Sequence, residues 1–430
     1  MREDFLHYIW KYKKFIITGL KTVSGEAITI KNVGEHNFNS GPDFFNAQIQ
    51  IGDQLWAGNV ELHVKSSDWF LHNHEKDDAY KNVILHVVWE HDTEVFAKNN
   101  LPIATLQLKD VVDFNLINSY KKLFLNDSRW INCENSFSSI DDFTFNNWKE
   151  RLYFERIEQK TSVIEDLLKT SKNDWEAVLF KMLVKNFGLK VNGEAFFSLA
   201  NSIDFSLIRK LQNSTNLLEA LLFGQAGLLE EDIENSYYIN LVKDYAFLKS
   251  KYTLSNINVL PVQFFRLRPP NFPTIRLSQM ASLYNLHGNL FSKIIETNVI
   301  NDFYELLKVE TSSFWKSHYT FNKESKTIKK SVSKSFIDLL LINTIIPIKF
   351  CYAKHKGINI NEDIVSLISS IASEKNSIIS AYNKLKPVSK TALDSQALIH
   401  LKTNYCNTNL CLKCAIGNAF LNNKLLNQKT

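Results

Sequence analysis

GPDFFNAQIQIGDQLWAGNVELHVK occupies residues 41–65 and carries the strongest structural signal in the chain. DFFNAQIQI (43–51) and LWAGNVELHV (55–64) both read as strands, and Gly52-Asp53-Gln54 supplies a tight connection between them. Asp43 opens the first strand and Glu61 lies on the second, so two carboxylates eighteen residues apart can meet at one end of a sheet. Carboxylate oxygens are the usual protein ligands for Mg²⁺, which keeps several waters and takes one or two acidic side chains. Alternation places Glu61, His63 and Lys65 on one face of the second strand. With Mg²⁺ or Mn²⁺ held by Asp43 and Glu61, either His63 or Lys65 can orient or deprotonate an attacking water. Glu35, in the loop before Asp43, is the expected third acidic ligand.

Outward from this stretch, residues 3–15 carry Phe5, Ile9, Trp10 and Tyr12 at helical spacing. GEAITIKNVG (25–34) adds a strand before the pair. SSDWFLHNHEKDDAYKN (66–82) opens on a Ser/Asp N-cap and reads as a surface helix or loop. VILHVVWE (83–90) is a strand buried on both faces, and LPIATLQL (101–108) adds an edge strand. From about residue 112 onward the pattern is helix after helix. The expected class is therefore α+β: an α/β domain at 1–112, a junction at 113–140 and a large all-α region at 141–430 that ends in a cysteine cluster.

The order helix, three strands, helix, strand, with Pro42-Asp43 opening one strand and Glu61-Leu62-His63 on the next, resembles the PD-(D/E)xK nuclease core. That resemblance implies a hydrolase that cleaves nucleic-acid phosphodiesters with Mg²⁺ or Mn²⁺. His63 stands where lysine is usual, which leaves Lys65 as a substitute base. It also leaves open an inactive nucleic-acid-binding or scaffold protein of the same fold.

A chain of 430 residues, 45% hydrophobic and 22% charged, has the composition of a globular protein of more than one domain. Five cysteines argue against a disulfide framework and for a reducing compartment. The longest apolar run, Phe336 to Ala353, contains Asp338, Asn343, Pro347 and Lys349. A bilayer span would have to bury all four, so a core helix and no membrane partner are expected. Residues 1–110 carry 11 Lys/Arg against 15 Asp/Glu, whereas the rest carries 39 against 30. An acidic unit followed by a basic one fits a metal-binding domain beside one that holds a polyanion.

Seven of the eleven histidines fall within residues 1–91: His7, His36, His63, His72, His74, His86 and His91. His72 and His74 could ligate zinc with Asp77 or Asp78, although on a helix they diverge by about 200°. With His86 they are expected to line the cleft beside the acidic pair. Cys406-x4-Cys411-x2-Cys414 suits zinc or an iron–sulfur cluster, with Cys133 as the fourth ligand of a closed structural site. Arg266, Arg268 and Arg276 surround three prolines at 264–279, and six lysines crowd 316–334. Both segments suit contacts to a nucleic-acid backbone without reading its bases. LLFGQAGLL (221–229) marks close helix packing at Gly224 and Gly227.

GPDFFNAQI, VELHVKSSDW, YKNVILHVVWE, EALLFGQAGLL, RLRPPNFPTIRL and YC-x4-C-x2-C together resemble the bacterial domain-of-unknown-function 2851 family. The resemblance spans essentially the whole chain. It implies a bacterial, Bacteroidetes-type, cytosolic protein and brings no established activity.

Overall fold

The computed structural model describes residues 1–37, 39–124 and 129–422. It divides into two compact units: Met1–Trp148 with the segment from Leu401, and Lys149–His400. The expected α+β class is found, with a mixed sheet in the first unit and a largely helical second unit.

The first unit opens with α1 (Glu3–Lys11), whose Phe5, Leu6, Ile9 and Trp10 are buried. Glu3 and Asp4 in its first turn and Lys11 in its last complement the helix dipole. The strands β1 (Ile28–Asn32), β3 (Phe44–Ile51) and β4 (Gln54–Lys65) form an antiparallel meander, and the short β2 (Glu35–His36) pairs beside them on β3. In β3, Phe44, Ala47, Ile49 and Ile51 are all buried, which breaks strict alternation. The extra residue is a bulge: Phe44 pairs with Val60 but Ala47 with Gly58, and Asn46 takes a left-handed φ of 57°. A bulge bends its strand and re-aims the residues beyond it. Here it turns the Asp43 end of β3 onto Glu61.

After β4 the chain crosses to β5 (Val83–Glu90), which runs parallel to it, and β6 (Thr105–Gln107) adds a parallel edge. The crossover contains α2 (Asp68–Leu71) and two 3-10 turns, His74–Lys76 and Asp78–Tyr80. Trp69, Tyr80, Val83, Val95 and Ile103 form its buried core. Ser67 occupies the N-cap of α2 but makes no side-chain cap bond; its hydroxyl donates to Asp92 instead. The expected Ser/Asp cap thus serves to pin the crossover to the chain after β5. The parallel register sets Glu61 beside His86 and His63 beside Val88, so all four side chains share one face.

In the second unit, the helices Thr215–Gln225 and Ser236–Tyr252 meet at Gly224, where an added Cβ would lie 2.2 Å from the Tyr245 ring. Gly227 has another reason: its φ of 70° turns the chain after the helix, with only the tip of the Glu230 side chain near. Gly224→Ala gains about 1 kcal/mol of helix propensity but overpacks a closed contact at about 1–3 kcal/mol. The expected result is a lower denaturant midpoint, and an unchanged or raised midpoint would show that Tyr245 yields freely. Within the apolar segment Lys334–His355, 72% of the most apolar 18-residue window is buried inside the fold. Its polar groups have protein partners: Lys349 donates to the carbonyls of Ile294, Ile295 and Thr297, and Asp338 accepts from Tyr304.

Candidate metal centre

Asp43 and Glu61 lie side by side, joined by an interlock of backbone and side chain. The Asp43 N–H donates to Glu61 Oε2 at 3.0 Å, and the Leu62 N–H donates to Asp43 Oδ2 at 2.9 Å. Glu61 is 4% exposed, and its other oxygen faces a ring of imidazoles. His74 Nε2 lies 3.3 Å from Glu61 Oε1, and His63 Nε2 lies 3.7 Å from it. His63 Nε2 is also 3.1 Å from His72 Nδ1, while its Nδ1 is 2.8 Å from His86 Nε2. With the proton on Nδ1, His63 donates to His86 and turns its Nε2 lone pair into the ring of ligand atoms.

His72 and His74 converge because they do not share a helix. His72 caps α2, Asn73 takes a left-handed conformation with φ 59°, and His74 opens the 3-10 turn. This reversal removes the 200° divergence expected from helical spacing. One ring nitrogen each from His63, His72 and His74 lies within 4.8 Å of the others. A tetrahedral zinc ion with bonds of about 2.0–2.1 Å holds its ligands about 3.3 Å apart. Three of the six separations among Glu61 Oε1, His63 Nε2, His74 Nε2 and His72 Nδ1, at 3.1, 3.3 and 3.7 Å, lie near that edge length. The buried His74 Nε2 has no hydrogen-bond partner, as expected of a nitrogen placed to bind a cation.

The electrostatics of the protein alone favour neutral groups here. Burial, reinforced by the Asp43 charge, pushes Glu61 up to about 9. Burial and the surrounding imidazoles pull His63 down to about 2, and burial brings His86 to about 3. Glu61 and His63 are enclosed, whereas His72 is exposed and the Asp43 and His7 side chains are about 20% exposed, so the cluster opens to solvent on that side. Asn59, one same-face step from Glu61 along β4, lines an open cleft of about 1200 Å³ with Gln48, Trp56 and Thr105. The cleft does not itself include the carboxylates or the histidine ring.

Other sequence-predicted residues lie elsewhere. Glu35 is exposed and is not the third acid: adjacent strand residues point to opposite faces, and His36 takes the side that stacks on Phe44. Lys65 is exposed, and its charge falls on Asp92. Arg266 and Arg268 are exposed, but Arg276 is buried, bonded to Asn271 and Gln279 and laid over the Phe336 ring, so it cannot hold a nucleic-acid phosphate. Of the lysines, Lys330 is buried and donates to the carbonyls of Trp315 and Lys316. The residue that sequence reasoning left without a role is His7. Its Nε2 is 3.2 Å from Asp43 Oδ2, and Glu3 lies one helical turn before it on α1. The i, i+4 pairing of an acid and a histidine was the available signal.

Cys133, Cys406, Cys411 and Cys414 all line one small cavity of about 20 Å³, with Ile131, Phe137, Leu401 and Ile416. All four belong to the first unit.

The sheet and its acid–histidine cluster define an α+β protein with a helical second unit. The profile of the family described as protein of unknown function (DUF2851) matches residues 3–377, and the chain belongs to that family. The matched span takes in every residue of the acid–histidine cluster, while Cys406, Cys411 and Cys414 lie beyond it. Neither the curated proteins nor the solved structures give a match.

Proposed function

We propose that the acid–histidine cluster is a divalent-metal centre that hydrolyses phosphodiester bonds in nucleic acid. The observation that carries this reading is the convergence of Asp43, Glu61 and three imidazoles around the buried stretch Val60–His63 of β4. The donor set fits Zn²⁺ or Mn²⁺ more closely than the Mg²⁺ expected from the sequence, because imidazole suits the former and Mg²⁺ prefers oxygen. A bound dication would polarise the phosphoryl oxygen and supply hydroxide at neutral pH. The chain's own residues do the positioning. His86 holds the His63 ring through Nδ1, the two backbone N–H bonds lock the carboxylates, and His7 stands at the open side beside Asp43. Both nitrogens of His63 are engaged within the cluster, so its role is that of a ligand and not of the water-activating base. Nucleic acid enters as the substrate class through the resemblance to the PD-(D/E)xK core and through exposed cations such as Arg266, Arg268, Lys323 and Lys326, which suit phosphate contacts.

The test is incubation of the full chain with single- and double-stranded DNA and RNA under Mg²⁺, Mn²⁺ or Zn²⁺. Cleavage should appear with a histidine-binding cation and fall by about 10²-fold or more in His74→Ala, a loss of about 3 kcal/mol in transition-state stabilisation. Binding without cleavage under any cation would transfer the reading to a nucleic-acid-binding protein. Asn73→Val should mimic the ligand loss: a β-branched residue resists φ > 0, which would splay His72 from His74. Equilibrium dialysis of the variant against Zn²⁺ should show an affinity at least tenfold weaker, whereas Asn73→Gly should bind like the parent.

A further inference from the structure

We infer that Cys133, Cys406, Cys411 and Cys414 hold a soft metal, as a zinc ion or an iron–sulfur cluster, in a centre separate from the acid–histidine cluster. Four thiols reach one cavity from two segments about 270 residues apart in sequence, and the protein builds that approach from polar contacts. Lys402 donates to the Trp130 carbonyl at 2.8 Å and lies over the Trp130 ring. The Asn132 amide donates to Asn409 Oδ1 at 3.0 Å and to Cys411 Sγ at 3.4 Å. Donors aimed at sulfur are what a thiolate ligand needs and a neutral thiol gains little from.

The local backbone has the compactness of a metal knuckle. Cys411–Lys413 forms a 3-10 turn, the Cys414 N–H returns to the Cys411 carbonyl at 3.2 Å, and Asn409 enters with a left-handed φ of 55°. Gly417 closes against it so tightly that a Cβ would lie 2.1 Å from the Cys411 oxygen. All four side chains line the same small cavity of about 20 Å³. Buried cysteines that merely fill space need neither the donors nor the convergence. The fifth cysteine, Cys351, is buried in the second unit, apart from these four.

The centre also bears on α1. The Cys411–Lys413 turn packs against α1, and the helix Ala415–Leu421 packs against α3 (Phe114–Phe124). A metal at the four thiols therefore braces the helix that presents Glu3 and His7.

The test is metal and acid-labile sulfide analysis of the full chain purified without oxygen, with X-ray absorption at the edge of the metal found. The expected result is about one centre per chain with four sulfur neighbours, at about 2.3 Å for zinc. A brown protein containing labile sulfide identifies an iron–sulfur cluster, and a colourless one containing zinc identifies a single ion. Cys411→Ser and Cys414→Ser should lose this metal, while Cys351→Ser and His74→Ala keep it. A protein with no sulfur-ligated metal that takes up neither Zn²⁺ nor iron with sulfide on anaerobic reconstitution overturns the assignment. So does sulfur-ligated metal retained undiminished in both serine variants. The wild-type measurement decides the matter even where a serine variant fails to fold.

Discussion

Glu61→Gln is expected to abolish divalent-cation binding at the histidine ring and to reduce nucleic-acid cleavage by about 10³-fold, close to 4 kcal/mol. The substitution is isosteric, so the expected loss comes from hydrogen placement more than from shape. Glu61 Oε2 accepts the Asp43 N–H, and Oε1 faces His74 Nε2 and His63 Nε2. A glutamine must put its oxygen where the Asp43 N–H points, because the opposite orientation sets donor against donor in a buried site. Its NH₂ then points into the imidazole lone pairs and occupies the place of a cation. Stability of the metal-free protein should change little, because burial and the Asp43 charge already shift Glu61 toward its neutral form. Calorimetric titration with Zn²⁺ or Mn²⁺, beside cleavage rates, checks both halves. A variant that binds metal and cleaves within threefold of the parent would remove Glu61 from the centre. A parent that binds metal but never cleaves would leave the centre standing and remove only the hydrolysis.

Much of this architecture is legible in the sequence because strand alternation and β-branched content report burial directly. Residues 41–65 yield the hairpin, its turn and the meeting of Asp43 with Glu61, and VILHVVWE yields the buried parallel strand. The resulting cluster is harder to read, and each failure has a local physical cause. His72 and His74 look divergent when one assumes a continuous helix, but α2 lasts four residues and Asn73 reverses the chain. Asparagine is enriched at φ > 0, so the Asn between the two histidines was a signal that periodicity does not weigh. Glu35 seems well placed by chain distance, yet the pairing of β2 sends its side chain to the face opposite His36. Arg276 illustrates the opposite error. A guanidinium near prolines suggests a phosphate grip, but the residue sits inside the helix Pro273–Leu286, eleven of whose fourteen residues are buried. Nothing in its immediate neighbours distinguishes a buried, stacked arginine from a surface one.

Asp394→Ala is expected to destabilise the second unit by about 4–6 kcal/mol, enough to leave little of it folded if its total stability lies in the usual range of about 5–15 kcal/mol. Asp394 serves two structures at once. Its Oδ1 pairs with the Lys149 ammonium at 2.5 Å, and both residues are buried. Its Oδ2 accepts from the N–H groups of Lys390 and Thr391 and from the Thr391 hydroxyl, while the Asp394 N–H faces that hydroxyl at 3.4 Å. This is a capping box at the start of the helix Ala392–His400. Losing the cap costs about 1 kcal/mol, and removing the carboxylate from a buried ammonium, which keeps the Val388 carbonyl, costs about 3–5 kcal/mol. Lys149→Met should cost markedly less, because Asp394 keeps its backbone and hydroxyl donors and the methionine fills the space without a charge. The double variant Lys149→Met/Asp394→Ala should then be more stable than Asp394→Ala alone, a coupling that a double-mutant cycle in guanidinium reads directly. Acid gives the same result by another route. Burial pushes the Asp394 carboxyl upward, but the Lys149 ammonium and the two N–H donors outweigh it and hold the group below the ordinary carboxylate range. A carboxyl depressed on folding stabilises fully above its unfolded pKa of about 3.9 and loses that contribution as pH falls through the folded value. Wild type should therefore lose stability over that acid window, and Asp394→Ala should lose less there. Equal acid sensitivity in the two proteins, or a double variant no more stable than Asp394→Ala, would show that the pair is not what holds the second unit together.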